Sequence, residues 1–178
     1  MVRNLCLTIA ALALAGCAQT VATRPPSEVT ASVHEDLLGR IVGSWVLTGV
    51  IAGRQTTHDV EAIRVLGRNY VRLDEVSREL GEDGRPAYEA TIYVGWLESR
   101  NQYVCIWLDN TEVATGDVTC VAGEAVDAIP FEFRDRDGAL LFTNTFTFNR
   151  GDDSWEWRMV NVRGDQRDTF GVVTLRRR

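Results

Sequence analysis

The chain has 178 residues, 45 % of them hydrophobic, with a formal net charge of −6 and a pI near 5.0. A protein this acidic is repelled by phosphate backbones and anionic lipid faces, which excludes nucleic acid as its main partner. All 19 basic residues are arginine, so Schiff-base and lysine-base chemistry are excluded, and only His34 and His58 can supply an imidazole.

Met1-Val2-Arg3-Asn4 is a short, positively charged start, and Leu5–Leu14 is an apolar run of signal-peptide length, too short to span a bilayer. The run ends in Leu14-Ala15-Gly16-Cys17, which resembles the lipobox of bacterial lipoproteins. The resemblance implies that residues 1–16 are a signal peptide and that cleavage precedes Cys17. Its sulfur would then carry acyl chains of the palmitate type, each buried methylene contributing about 0.8 kcal/mol to anchoring in a bilayer. Ala18 follows the cysteine where an aspartate would favour the inner membrane, so the expected address is the outer membrane, facing the periplasm. Removing 16 residues leaves 162, enough for one domain with a sizeable core, and losing Arg3 takes the charge to −7. Residues 17–31 have few large apolar groups and read as a flexible tether stiffened by Pro25-Pro26, which leaves 32–178 as the folded domain.

Ser32-Val33-His34-Glu35 fits a capping box, and Val33, Leu37 and Leu38 can share one face of a helix of one or two turns that ends before Gly39. From Ile41 the period changes to two. Strands are predicted near 43–52, 57–66, 69–79, 87–98, 101–109, 116–122, 128–135, 139–149, 154–163 and 169–177. Turn residues separate them, among them Gly67-Arg68-Asn69, Asp137-Gly138 and Gly151-Asp152-Asp153. The predicted fold is all-β: a single antiparallel up-and-down barrel of about eight to ten strands with a short N-terminal helix, closure being the way to remove exposed edges. An open sandwich would carry much the same signals.

Alternation assigns faces. Leu140, Phe142, Asn144, Phe146 and Phe148 fall on one side of the eighth strand, and Trp155, Trp157, Met159 and Asn161 on one side of the ninth; both sets are expected inward. In the third strand Tyr70, Arg72 and Asp74 oppose Val71, Leu73 and Glu75. The first set is either a solvated outer stripe or an inward one that must pair or meet a ligand.

Gly43-Ser44-Trp45 after a short helix resembles the Gly-x-Trp signature of the lipocalin and calycin barrels. Val65-Leu66-Gly67-Arg68-Asn69-Tyr70-Val71, Tyr93-Val94-Gly95-Trp96 and Tyr103-Val104-Cys105-Ile106-Trp107 extend the likeness to an uncharacterised bacterial family of secreted lipocalin-like domains. The resemblance implies a barrel-closing contact between Trp45 and an arginine of the last strand. Parity with inward Phe170 and Val172 selects Arg176. It also implies a small hydrophobic ligand in the barrel, enzymes being the minority in that superfamily.

If the fifth and sixth strands pair so that Cys105 faces Cys120 and Trp107 faces Val118, a disulfide is geometrically allowed and the periplasm permits it; two buried free thiols are the other reading. Ser44 is not in a hydrolase elbow, Asp135-Arg136-Asp137-Gly138 lacks the glutamate of a calcium loop, and His58 is the one candidate for a haem ligand. No catalytic residue, metal or cofactor is expected. The five tryptophans either fill the interior or line a pocket. The expected pocket set is Trp45, Arg64, Tyr70, Arg72, Trp96, Trp107, Asn144 and Trp157. The function expected is that of an envelope lipoprotein binding a small, partly hydrophobic molecule. The alternative is a structural lipoprotein whose filled barrel meets a protein partner.

Overall fold

The computed structural model describes residues 33–111 and 118–178; the expected signal peptide, Cys17, the expected tether and the expected helix cap at Ser32 lie outside them. Val33–Ile41 forms helix α1. Ten strands follow: β1 Gly43–Ile51, β2 Arg54–Val65, β3 Tyr70–Ser77, β4 Glu89–Leu97, β5 Gln102–Asp109, β6 Thr119–Gly123, β7 Ala128–Arg134, β8 Leu140–Asn149, β9 Ser154–Arg163 and β10 Gln166–Arg177. Each pairs antiparallel with the next, and β10 returns to β1, so the sheet is a closed up-and-down barrel without an open edge. The open sandwich is thereby excluded. β2 and β10 begin three residues earlier than their apolar patterns suggest, because backbone pairing continues through the polar ends Arg54-Gln55-Thr56 and Gln166-Arg167-Asp168.

Helix α1 runs through Gly39 to Ile41 instead of stopping before the glycine. Glycine inside a helix costs about 1 kcal/mol relative to alanine. Burial of Leu37, Leu38 and Ile41, each at most 1 % exposed, outweighs that cost. The three side chains join the buried core that includes Trp45, Leu47, Trp155 and Phe148 and plug the end of the barrel where β1 starts. Trp45 Nε1 donates to the Ile41 carbonyl at 2.8 Å, tying the helix end to β1.

The arginine over Trp45 is Arg177, not Arg176. Thr169 pairs with Val160 and Gly171 with Met159, so Phe170 is an extra residue in β10. This bulge reverses the parity beyond it: Gly171, Val173 and Leu175 face inward, and Arg177 continues that face. Arg176 points out to Asp152 at 2.9 Å.

Cys105 and Cys120 are partners in the β5–β6 ladder, with Cα atoms 4.9 Å apart, and form a disulfide. Both point into the barrel and are 2 % exposed. In β8 the inward set Asn144, Phe146 and Phe148 is buried as its alternation predicts, and so are Trp155, Trp157 and Met159 in β9. In β3 the buried face is Val71, Leu73, Glu75 and Ser77, which leaves Tyr70, Arg72 and Asp74 outside. Gly95 faces outward too: a Cβ there would lie 2.8 Å from the Tyr70 ring, which covers it across the β3–β4 ladder.

Candidate functional site

The half of the barrel remote from α1 is hollow. A cavity of about 460 Å³ opens there, within the range of small-molecule sites. Its walls come from the ends of strands on every side: Ile51 of β1, His58 of β2, Glu75 and Ser77 of β3, Trp107 of β5, Phe133 of β7, Phe142 and Asn144 of β8, Trp157 and Met159 of β9, and Phe170 of the β10 bulge. Aromatic rings meet edge to face around it, Trp107 with Phe133 at 6.1 Å, Phe133 with Phe142 at 5.6 Å and Phe142 with Phe170 at 5.9 Å. Such contacts hold the rings in fixed orientations and keep the wall preformed.

Of the eight residues expected to line a pocket, the structure brings three together at this cavity: Trp107, Asn144 and Trp157. The other five lie elsewhere. Trp45 is fully buried at the plugged end. Trp96 stacks on His34 of the helix at 4.1 Å and donates Nε1–H to Glu98 at 2.7 Å. Arg64 reaches Glu35 of α1 at 3.1 Å and the Arg68 carbonyl at 3.2 Å. Tyr70 covers Gly95, and Arg72 pairs with Asp74 at 2.9 Å, both on the outer face. Helix placement and strand parity decide these positions.

One wall carries polar groups that sequence reasoning missed. His58 is 3 % exposed, and its Nδ1 is hydrogen-bonded to the carboxylate of Glu75, also 3 % exposed. The His58 Nε2 lies 2.6 Å from Thr56 Oγ1, and Thr56 Oγ1 lies 2.9 Å from Glu79 Oε2. A threonine hydroxyl has one proton to donate. Burial opposes a charge on Glu79, yet hydrogen bonds from Thr56, from its own backbone, from the Thr57 amide and from Ser77 hold its carboxyl below the usual range. Glu79 is thus an acceptor and takes the Thr56 proton. The Thr56 oxygen is then left to accept at its contact with His58 Nε2, and His58 Nδ1 faces Glu75, so the ring is engaged on both nitrogens.

The order threonine, histidine, carboxylate has the outline of a nucleophile, base and orienting acid. The hydroxyl proton of Thr56 is directed to Glu79 Oε2 and not to the imidazole, which departs from that outline. Next to this network, Tyr88 stacks on His58 at 5.6 Å and accepts from Trp107 Nε1 at 3.0 Å. Burial, with the charge of Glu75 behind it, pushes the Tyr88 phenol well above its ordinary range, so it stays neutral. Among the described residues, no group of three histidine, cysteine or acidic side chains is placed to hold a metal ion. The available signal for this wall was Glu75, a carboxylate sharing an apolar strand face with Val71 and Leu73. Its partner His58 follows only from the β2–β3 register, in which His58 faces Ser77 and Val60 faces Glu75.

No protein-family model matches the chain, and no curated protein is similar to it in sequence.

Proposed function

We propose that this chain is a lipocalin-like lipoprotein of the bacterial envelope that carries or senses a small, partly apolar molecule in the hollow half of its barrel. The observation that carries the reading is the aromatic cavity of about 460 Å³ with one polar wall. Apolar rings supply affinity through buried area, and a few fixed polar groups supply orientation. The Leu14-Ala15-Gly16-Cys17 motif supports the address: lipidation at Cys17, with the barrel held at the outer membrane on the periplasmic side. A disulfide at Cys105 and Cys120 suits that oxidising compartment. The reading assigns the barrel to binding, with Thr56, which donates to Glu79 and lies against His58, as part of the polar wall.

The test is native mass spectrometry of protein purified from its own host, with peptide mapping of the N-terminus. A co-purified small molecule, lost from a variant in which Trp107 and Phe142 are both changed to alanine, is expected together with an acylated Cys17. A barrel carrying nothing, alongside a stable protein partner in crosslinking, would reject the carrier and favour a structural lipoprotein. A soluble, unlipidated chain would reject the address.

A further inference from the structure

The buried carboxyl of Glu75 has one oxygen left over. Glu75 is 3 % exposed on the inward face of β3, and its ladder partners Val60 and Ala90 are apolar. Its Oε1 is hydrogen-bonded to His58 Nδ1, and its Oε2 takes no hydrogen bond among the described residues. Asn144 Oδ1 and Trp157 Nε1 are sealed away from all space, but Oε2 is not, and Glu75 lines the cavity. Oε2 is an acceptor whichever of the two partners holds the proton between Nδ1 and Oε1. Buried polar atoms are nearly always paired, so an open acceptor in a cavity wall points to a ligand that brings a donor.

We propose that Glu75 Oε2 receives the head of the carried molecule and that this head is a protonated amine on an apolar or aromatic body. The donors on this wall are already spent. Both nitrogens of His58 are engaged, Thr56 and Ser77 give their hydroxyls to Glu79, and Trp107 gives Nε1–H to Tyr88. A carboxylate head would meet acceptors here without donors to hold it. Charge then selects among the heads that can donate. Glu79 and Asp109 are half-buried on the same lining, and Glu79 stays ionised despite its burial. Glu79 reaches the His58–Glu75 pair through Thr56, and Asp109 acts on Tyr88, whose ring stacks on His58. Burial, then the charges of Glu75 and Asp109, push the Tyr88 phenol well above its ordinary range, which marks a negative field at this wall. Arg54 is the one arginine on the lining, and it is exposed at the rim. An ammonium therefore gains a charge-assisted hydrogen bond and a favourable field, where a hydroxyl gains a neutral hydrogen bond only. Trp107, Phe133, Phe142 and Phe170 are left to enclose the body.

This inference rests on the carrier reading, and one experiment separates the two. Isothermal titration calorimetry at neutral pH uses protein freed of co-purified molecules and four probes with the same ten-carbon chain: decylammonium, decyltrimethylammonium, decan-1-ol and decanoate. Decylammonium is expected to bind at least about tenfold more tightly than the alcohol and the carboxylate. It should also bind about fivefold more tightly than decyltrimethylammonium, which has the charge but no N–H. Glu75→Gln, which keeps the shape and removes the carboxylate, should weaken decylammonium about tenfold and change the alcohol by less than about threefold. Should that variant fail to fold, as near-UV circular dichroism and a melting curve will show, Asp109→Asn carries the test. It should weaken decylammonium about threefold and leave the alcohol unchanged. Any of the other three probes binding as tightly as decylammonium would overturn the inference and leave the carrier reading standing. Equal losses of decylammonium and alcohol in the folded variant would do the same, because a merely structural role moves both alike. Binding of none of the four probes would overturn both.

Discussion

The guanidinium of Arg177 lies over the indole of Trp45, its central carbon 3.8 Å from the ring centroid. The same group donates to the Val42 carbonyl at 2.7 Å and to the Arg40 carbonyl at 2.9 Å, so it also caps the C-terminus of α1. Three functions meet in one side chain: it covers the plug tryptophan, satisfies helix carbonyls and joins the last strand to the helix. Arg177→Ala should cost about 2–3 kcal/mol, from the lost cation–π contact and the uncapped carbonyls. Arg176→Ala, on an exposed pair with Asp152, should stay within about 0.5 kcal/mol. Urea unfolding of the two variants checks the difference, and equal losses would mean that the bulge does not set which arginine closes the barrel.

His58 and Glu75 behave as a buried unit. His58→Leu leaves the Glu75 carboxyl inside the barrel without its hydrogen-bond partner and should cost about 1–3 kcal/mol. Replacing both with leucine removes the unsatisfied polar group and should recover most of that loss. Chemical denaturation of the parent, both single variants and the double variant gives the coupling. Additive losses in the double variant would show that the two side chains do not interact.

The disulfide closes a loop with a sequence separation of 15 residues. In the chain-entropy picture this contributes roughly 3 kcal/mol, and replacing both cysteines with alanine should lower stability by about that amount. Thiol titration of oxidised, denatured protein should find neither Cys105 nor Cys120 free. Two titratable thiols would contradict the pairing.

Two glycines should respond to alanine in opposite directions. A Cβ at Gly39 meets nothing within 4 Å, and the residue sits inside α1, so Gly39→Ala should stabilise by about 0.5–1 kcal/mol. A Cβ at Gly49 would lie 2.3 Å from the Val172 carbonyl oxygen and 2.7 Å from the Val173 Cα, where β1 meets β10. Backbone cannot move aside as a side chain does, and Gly49→Ala should destabilise by about 1–3 kcal/mol. Thermal melts of both variants decide; a loss at Gly39 would count against the helix passing through it.

Acid should loosen the plugged end. The hydrogen bond from Arg40 holds the Asp36 carboxyl below its usual 3.8, Arg150 does so for Asp127, and Ser154 followed by Arg176 does so for Asp152. A carboxyl depressed in the folded state contributes stability above its unfolded value, and that contribution is lost as pH falls through the folded value. The melting temperature should therefore hold down to about pH 4 and drop below it. Arg150→Gln, which removes the cation shared by Asp36 and Asp127, should make that drop shallower. A parent whose melting temperature is flat from pH 5 to pH 3 would show that these pairs do not couple to folding.

The amino-acid sequence by itself determined an up-and-down run of about eight to ten strands, their approximate places, the helix before them and the inward sides of β8 and β9. Alternation and turn residues are local signals, so Phe146, Trp155 and Trp157 could be placed without a fold. The cysteines were legible for the same reason, since one hairpin sets their register. Tertiary structure alone decided which arginine closes the barrel, because the extra residue at Phe170 shifts parity without leaving a mark in the hydrophobic pattern. It also decided which half is hollow. The large side chains of α1, β1 and the start of β9 gather at one end, and the open end collects ring edges from strands far apart in the chain. The convergence of Thr56, His58, Glu75 and Glu79 was hidden in the same way: four ordinary polar residues become one network only when the β2–β3 register and barrel closure bring them to a common, water-poor wall.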